Sequence, residues 1–380
     1  NQIQALSAAI ALSGAASTFG AAVAASGSSA TNRIGSGLNL TEASITNGSS
    51  VAAIGGLTVD ASDTSDISAN VVALAIAGGD GSIAAGVSGS DHENGGTVAA
   101  FVTDSSASAG QGDLEVLASA TQNIDVLSVA LSAAIGLGAA GSGAQASATL
   151  SNTVEAYADS ATLSAGGMVQ IDATSEQTAT AKTDGVGVGA VGISVALPSA
   201  DIGGATQASL GGNSSINAAG GLDVHANSTS TAEADALSLA VGIVGGAGAG
   251  AVSHVHRETD AHIGAAIGDT NPAASNITAG DISIQAVSTS TSTSNANGGT
   301  GGLVATGVYV PITTIDGSTR AYVGQGTTLT AQSLDINASS TENASGDAIV
   351  IGIGGFAMSV ARSDVFIGSV NFIKNQYFSM

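Results

Sequence analysis

The stretch Ser333-Leu334-Asp335-Ile336-Asn337-Ala338 recurs in variant form along nearly the whole chain. In each copy, branched apolar residues stand two positions apart, mostly polar residues lie between and after them, and an alanine ends the stretch. This period of two predicts a β-strand with one buried face. The other copies begin at Gly56, Asp113, Met168, Gly221 and Asp281.

The copies are evenly spaced. Their first apolar residues fall at positions 57, 114, 169, 222, 282 and 334, so the spacings are 57, 55, 53, 60 and 52 residues. A repeat of about 55 residues predicts an array in which each unit packs on its neighbours. We place this array at 1–370, with units at about 5–68, 69–125, 126–180, 181–234, 235–293, 294–345 and 346–370.

The long uncharged segments alternate large and small side chains. Residues 127–138, LSVALSAAIGLG, show the pattern. A membrane-spanning helix has no reason to sort side chains at period two, so the pattern favours strands and no transmembrane segment. We predict an all-β parallel β-solenoid (β-helix) of about seven repeats. Each unit would supply four or five short strands and form two coils, with one long coil as the alternative.

The alternation also defines two faces for each long strand. We expect the branched face to form the interior of the solenoid. The glycine and alanine face would then form a smooth outer strip that serves as an interface, or would pack internally against other strands of the same unit. The sequence leaves these two alternatives open.

Composition limits the function classes. The chain has 380 residues, 6 Lys and Arg against 29 Asp and Glu, a net charge of −23 and no cysteine. Nucleic acids and anionic membranes are recognised by clustered basic residues, so neither is an expected partner. We expect no cofactor, although weakly bound divalent cations such as calcium are compatible with the acidic charge.

Four phrases follow one another in the sixth repeat: the glycine-rich strand Gly301–Pro311, the phrase Thr319–Gly324 (TRAYVG), the piece Thr328–Ala331 and the strand Leu334–Thr341. Together they resemble the repeats of leukotoxin-family filamentous adhesins. That family consists of very large bacterial surface or secreted proteins whose repeats are thought to form β-solenoid rods. The resemblance therefore implies an extracellular location and a structural role, but it brings no functional residues to this chain.

Aromatic residues recur in the TRAYVG phrase. Phe101, Tyr157, Tyr322 and Phe366 occupy its aromatic position, which predicts a column along one flank of the solenoid. A stacking ladder that stiffens the rod is the favoured interpretation, and a stripe that binds glycans or a host surface is the alternative. The segment 371–380 is a separate aromatic tail, a cap or docking segment, in which Phe372, Tyr377 and Phe378 are candidates for end-to-end contacts.

One segment combines histidines with acidic residues. His254, His256, Glu258, Asp260 and His262 share parity, so one strand would place them on one face. These are suitable zinc ligands, but an extended strand lets only adjacent members share an ion, and we expect a solvated face. Arg257 beside these carboxylates fits a surface ion pair.

No catalytic cluster is evident, because the basic residues lie in separate units or strands. We therefore expect no enzyme. The sequence favours an extracellular structural module that associates with itself end to end into filaments or forms an adhesin stalk. A glycan- or host-surface-binding segment is the alternative, and a polysaccharide-degrading enzyme or an ice-binding protein is less favoured.

Overall fold

The computed structural model describes residues 2–14, 21–35, 39–267 and 273–368. All of its regular structure is β: 19 strands form one continuous sheet, and the strand pairs are parallel. The predicted parallel β-solenoid is therefore confirmed. Within the described ranges, no helix is long and apolar enough to cross a membrane.

The strands follow one another with few interruptions. They are β1 (Gln2–Gly14), β2 (Val23–Ile34), β3 (Leu40–Ile45), β4 (Ser50–Ala53), β5 (Leu57–Gly78), β6 (Ile83–Thr103), β7 (Ser106–Ala109), β8 (Leu114–Ile135), β9 (Ala139–Asp159), β10 (Thr162–Ala165), β11 (Met168–Val188), β12 (Val191–Leu210), β13 (Ser215–Val241), β14 (Val244–Ile263), β15 (Ser275–Ile315), β16 (Ser318–Val323), β17 (Thr327–Thr330), β18 (Ser333–Ala361) and β19 (Asp364–Ile367).

One repeat makes one coil. In the second coil, β5 runs along one side, β6 runs back along the other side, and the short β7 connects to the next coil. Leu57 of β5 lies beside Leu114 of β8, and Leu114 lies beside Val169 of β11. The prediction of two coils per repeat is therefore wrong, and the single long coil is observed. The reason is strand length: β5 continues for 22 residues because its alternation is not broken by a corner.

The coil is wide at one end and thin at the other. At the wide end, the short strand separates the two long strands and encloses branched residues such as Leu114, Leu163 and Leu210, all fully buried. Toward the thin end, the two long strands face each other directly, and the interior narrows to residues such as Ala75 and Ala84. We call this thin end, around the turn between the two long strands, the edge.

The expectation that branched residues fill the interior holds at the wide end and is wrong at the edge. In β8, Ser128, Ala130 and Ser132 point inward and are buried, while Leu127 and Leu131 lie on the outer face. The glycine and alanine face therefore packs internally, which was the second of the two alternatives left open by the sequence. The reason is the short distance between the backbones of the two long strands at the edge, which leaves room for large side chains only on the outer faces.

Residues with left-handed backbone form one corner of the solenoid. Where the TRAYVG phrase lacks its glycine, Asp104 and Ser160 adopt φ of 49° and 51°, and Asn213 adopts 56° at the same corner one coil later. Asn and Asp tolerate this conformation better than most residues, because their side chains bond locally. Asp104 and Ser160 directly follow β6 and β9, whereas Asn213 stands three residues after the end of β12.

Candidate functional site

The aromatic column exists over part of the solenoid as stacked pairs. The rings of Phe101 and Tyr157 lie 4.8 Å apart and 6° from parallel, and those of His262 and Tyr322 lie 4.9 Å apart and 3° from parallel. Ser209 separates the two pairs, since it lies beside Tyr157 on one side and His262 on the other. The rings cover each other's faces, and this is the arrangement of a stacking ladder.

Phe366 does not belong to this column. It lies beside Thr314, in the column of Asp201 and His254, whereas Tyr322 lies beside His262. The assignment from the sequence failed because it aligned β19 with β16 by motif, while β19 pairs with the end of β15. The tail candidates Phe372, Tyr377 and Phe378 lie outside the described residues.

An exposed apolar surface wraps the edge on both outer faces. It arises from the inversion described above, because every large residue excluded from the thin interior points to solvent. Among its members are Ile10, Leu12, Ile83, Val87, Ile135, Leu137, Ile193, Val195, Val241, Ile243, Ile351 and Ile353. Three outward positions over seven coils cover roughly 700 Å² on one face, which is more than the largest apolar patch on a typical monomer.

The interior is open at the last described coil. Leu222 and Ile282 are each 1% exposed, but Leu334, next in their column, is 50% exposed. Ile336 is likewise 44% exposed, although its neighbour Ile284 is fully buried. The core residues of β18 therefore face the end of the solenoid and are covered by the preceding coil on one side.

A buried polar layer crosses the interior between the wide end and the edge. Its centre is Arg257, which donates hydrogen bonds of 2.9–3.2 Å to oxygens of Asn152, Gln177, Gly203, Ala205 and Thr206. All of these acceptors are neutral. Burial lowers the pKa of Arg257 to about 9, which is still above neutral pH.

The prediction that Arg257 forms a surface ion pair is therefore wrong. Arg257 shares the inward parity of its strand, and its carboxylate neighbours in sequence point outward. Asp260 and Glu258 instead pair with Arg320 of the next coil, at 3.0 Å and 3.8 Å. Asp260 also contacts the ring of His262 at 2.6 Å, and both residues are buried.

His254 and His256 stay on the outer face and meet carboxylates of neighbouring coils. The Nδ1 atoms of both rings lie 3.2 Å from Asp201 Oδ1. The other ring nitrogen of His254, Nε2, lies 2.7 Å from Asp316 Oδ1. The two rings stack with their centroids 4.4 Å apart. Sequence analysis found the two histidines but missed both aspartates.

Asp201 and His254 shift each other's pKa values. Burial alone would raise the pKa of Asp201, but the two adjacent imidazoles lower it below the ordinary range of a carboxyl group. Asp201 in turn raises the pKa of His254, against the opposing effect of burial and with a further contribution from Asp316. The missed partners carry one signal in the sequence: Asp201 precedes His254 by one repeat, 53 residues.

Comparisons of the chain with protein-family models, with curated proteins and with solved structures gave no match. What the protein does must therefore be inferred from its own residues.

Proposed function

We propose that this protein is an extracellular structural module, a β-solenoid that stacks end to end into filaments or continues as the stalk of a large adhesin. The observation that carries the proposal is the open last coil, in which Leu334 and Ile336 are 50% and 44% exposed. A further coil laid on β18 in the register found between β15 and β18 would bury both side chains.

Stacking of a further coil would also satisfy backbone groups. The outer edge of β18 offers N–H and C=O groups along a strand of 29 residues, and an open strand edge is a template for parallel pairing. The further coil comes from a second copy in a filament, or from continuing repeats in a stalk. In the filament and in the stalk, the new contact is the parallel pairing that already joins successive coils within the chain.

The exposed apolar edge supports lateral association of such rods. Its area on one face, roughly 700 Å², is close to the roughly 800 Å² that each partner buries in a standard protein interface. Self-repulsion of chains that each carry a net charge of −23 opposes both kinds of contact. We therefore expect assembly to increase with ionic strength, because salt screens the charge.

A glycan- or host-surface-binding role through the aromatic column is a weaker proposal. Sugars bind to the faces of aromatic rings, and Phe101 and Tyr157 turn their faces to each other. We propose no catalytic role, because Arg257, the basic residue nearest to a group of carboxylates in the sequence, is buried among neutral acceptors. The likeness to secreted adhesin repeats supports an extracellular location.

Electron microscopy and light scattering of the purified chain, over a range of concentration and salt, test the proposal. Filaments are expected for the wild type. Ile336→Lys should abolish them, because it places a charge on the exposed core. Asn337→Lys is the matched control: it makes the same change of charge at the next residue, which points outward, and should still assemble. Monodisperse short rods under all conditions, or equal assembly of both variants, would overturn self-stacking.

A further inference from the structure

Two histidines and one aspartate from neighbouring coils converge on the outer face of the solenoid. His254 and His256 stand two residues apart on β14, so both point outward. Asp201 of β12 lies beside His254 in the preceding coil. We propose that Asp201, His254 and His256 bind one divalent first-row transition-metal ion, of which Zn²⁺ is the representative.

The spacing of the three side chains suits a tetrahedral ion. Zn²⁺ binds nitrogen and oxygen at about 2.0–2.2 Å, so adjacent ligand atoms of a tetrahedral site stand about 3.3 Å apart. Both Nδ1 atoms lie 3.2 Å from Asp201 Oδ1, and ligand atoms of all three residues lie within 4.8 Å of one another. An ion above this triangle reaches all three residues with small side-chain rotations.

An unmet bonding requirement points to the same place. Asp201 Oδ1 is buried, yet neither imidazole presents an N–H to it in hydrogen-bond geometry. A buried carboxylate oxygen without an aligned donor is costly, and a metal ion removes that cost. The geometry therefore fits a coordinating oxygen better than a hydrogen-bond acceptor.

A second carboxylate orients the ligand ring. Asp316 Oδ1 lies 2.7 Å from Nε2 of His254, the nitrogen opposite the one that faces Asp201. Metal-ligating histidines commonly donate their other N–H to a carboxylate, which fixes the tautomer and increases the basicity of the ligand nitrogen. Asp316 thus acts as a positioning residue, and His254 presents an unprotonated Nδ1 to the ion.

The donor set selects the class of ion. Two imidazoles and one carboxylate suit zinc, copper, nickel or cobalt, whereas calcium and magnesium prefer oxygen ligands throughout. The fourth position faces solvent, because the His256 side chain is 42% exposed, and a water molecule would fill it. Because the ion joins β12 to β14, it would clamp two successive coils together.

Isothermal titration of the full chain with ZnCl₂ and with CoCl₂ tests the proposal. The titration is made at about pH 8, where protons compete little with the metal ion for the histidine nitrogens. We expect one ion per chain and the visible absorption of tetrahedral Co²⁺. Asp201→Asn, His254→Gln and His256→Gln should each weaken binding about 100-fold or more, and Asp316→Asn about 10-fold. Excess Ca²⁺ or Mg²⁺ should not displace the ion.

His225→Gln is the matched control. His225 also contacts a carboxylate of the preceding coil, Asp172, at 3.3 Å, but it has no second imidazole beside it. This variant should bind Zn²⁺ like the wild type. Absence of saturable binding, equal loss in the control, an octahedral Co²⁺ spectrum, or displacement by Ca²⁺ would each overturn the proposal. Circular dichroism identifies a variant that fails to fold, and for such a variant the result for His256→Gln, at the exposed ligand, decides.

Discussion

The carbonyl oxygen of Leu131 lies 2.6 Å from the position that a β-carbon would occupy on Gly86. The long strands of the solenoid thus touch backbone to backbone at the edge. Gly86→Ala should destabilise the protein by roughly 1–3 kcal/mol, because the added methyl group forces the strands apart. Urea unfolding followed by circular dichroism measures this.

Gly89 on the same strand provides the control for that substitution. It points outward, and no atom lies within 4 Å of its β-carbon position. Gly89→Ala should change stability by no more than about 0.5 kcal/mol. Equal effects of the two substitutions would mean that the edge is not close-packed.

The left-handed corner at Asp104 is a site for stabilisation. Asp104 has φ of 49°, which glycine adopts without steric cost. Asp104→Gly should raise stability by roughly 0.5–1 kcal/mol relative to Asp104→Asn. The comparison with Asn is needed because Asp104 also raises the pKa of Asp159, after the larger effect of burial, so either substitution relieves charge repulsion. An Asn variant as stable as the Gly variant would refute the backbone explanation.

Arg257 supports the polar layer through its hydrogen bonds. Arg257→Met should destabilise the fold by about 3 kcal/mol, because the carbonyl oxygens of Gly203 and Asn152 lose their donor in a buried place. Arg362→Met is the control, since Arg362 forms an exposed ion pair with Asp364 and should contribute less than about 1 kcal/mol. Chemical denaturation at neutral pH compares the two, and similar losses would contradict a buried, bonded guanidinium.

His225 should make stability depend on pH. The pKa of His225 is raised mainly by its hydrogen bond with Asp172, and the charge of Asp223 raises it further. Burial opposes this shift. The neighbour of His225 in the following coil, Gln285, is uncharged. Because the folded-state pKa exceeds the unfolded value of about 6.5, this contribution is complete below about pH 6.5 and is lost as the pH rises through the folded-state pKa.

Burial raises the pKa of Asp172, but hydrogen bonds from His225, Thr174 and Gln170, of which that from His225 is the largest, bring the pKa below its ordinary value. The contribution of the carboxylate is therefore present above about pH 3.9 and is lost as the pH falls through the folded-state pKa. His225→Gln should thus cost more stability at about pH 5.5 than at about pH 8.5. Thermal unfolding at both values measures the difference, and an equal loss would show that the pair is not ionised together.

The sequence was sufficient for the repeat, the strand type and the anchor contacts. Leu57, Leu114 and Val169 repeat one phrase and lie side by side. It was not sufficient to say which face is inside at the edge, because alternation defines two faces and the separation of the sheets decides between them. Leu131 is large but lies outside, since the interior beside it is narrow and is filled by small residues of the same strand such as Ala130 and Ser132.

The candidate metal site shows the same limit. His254 and His256 were visible as a pair in one strand, whereas Asp201 becomes a neighbour only when the coil length is known. Phe366 was misplaced for a related reason, because a motif match does not fix which segment of a long strand pairs with it.

The distance between two spin labels on one outward column measures how many coils each repeat makes. Ser62, Ser119, Thr174, Asn227, Val287 and Ser339 form one outward column through successive coils. The native chain has no cysteine, so Ser62→Cys and Ser339→Cys provide two unique sites for labels. Five coil steps predict a separation of about 24 Å by electron paramagnetic resonance, whereas about 48 Å would mean two coils per repeat and would contradict the account.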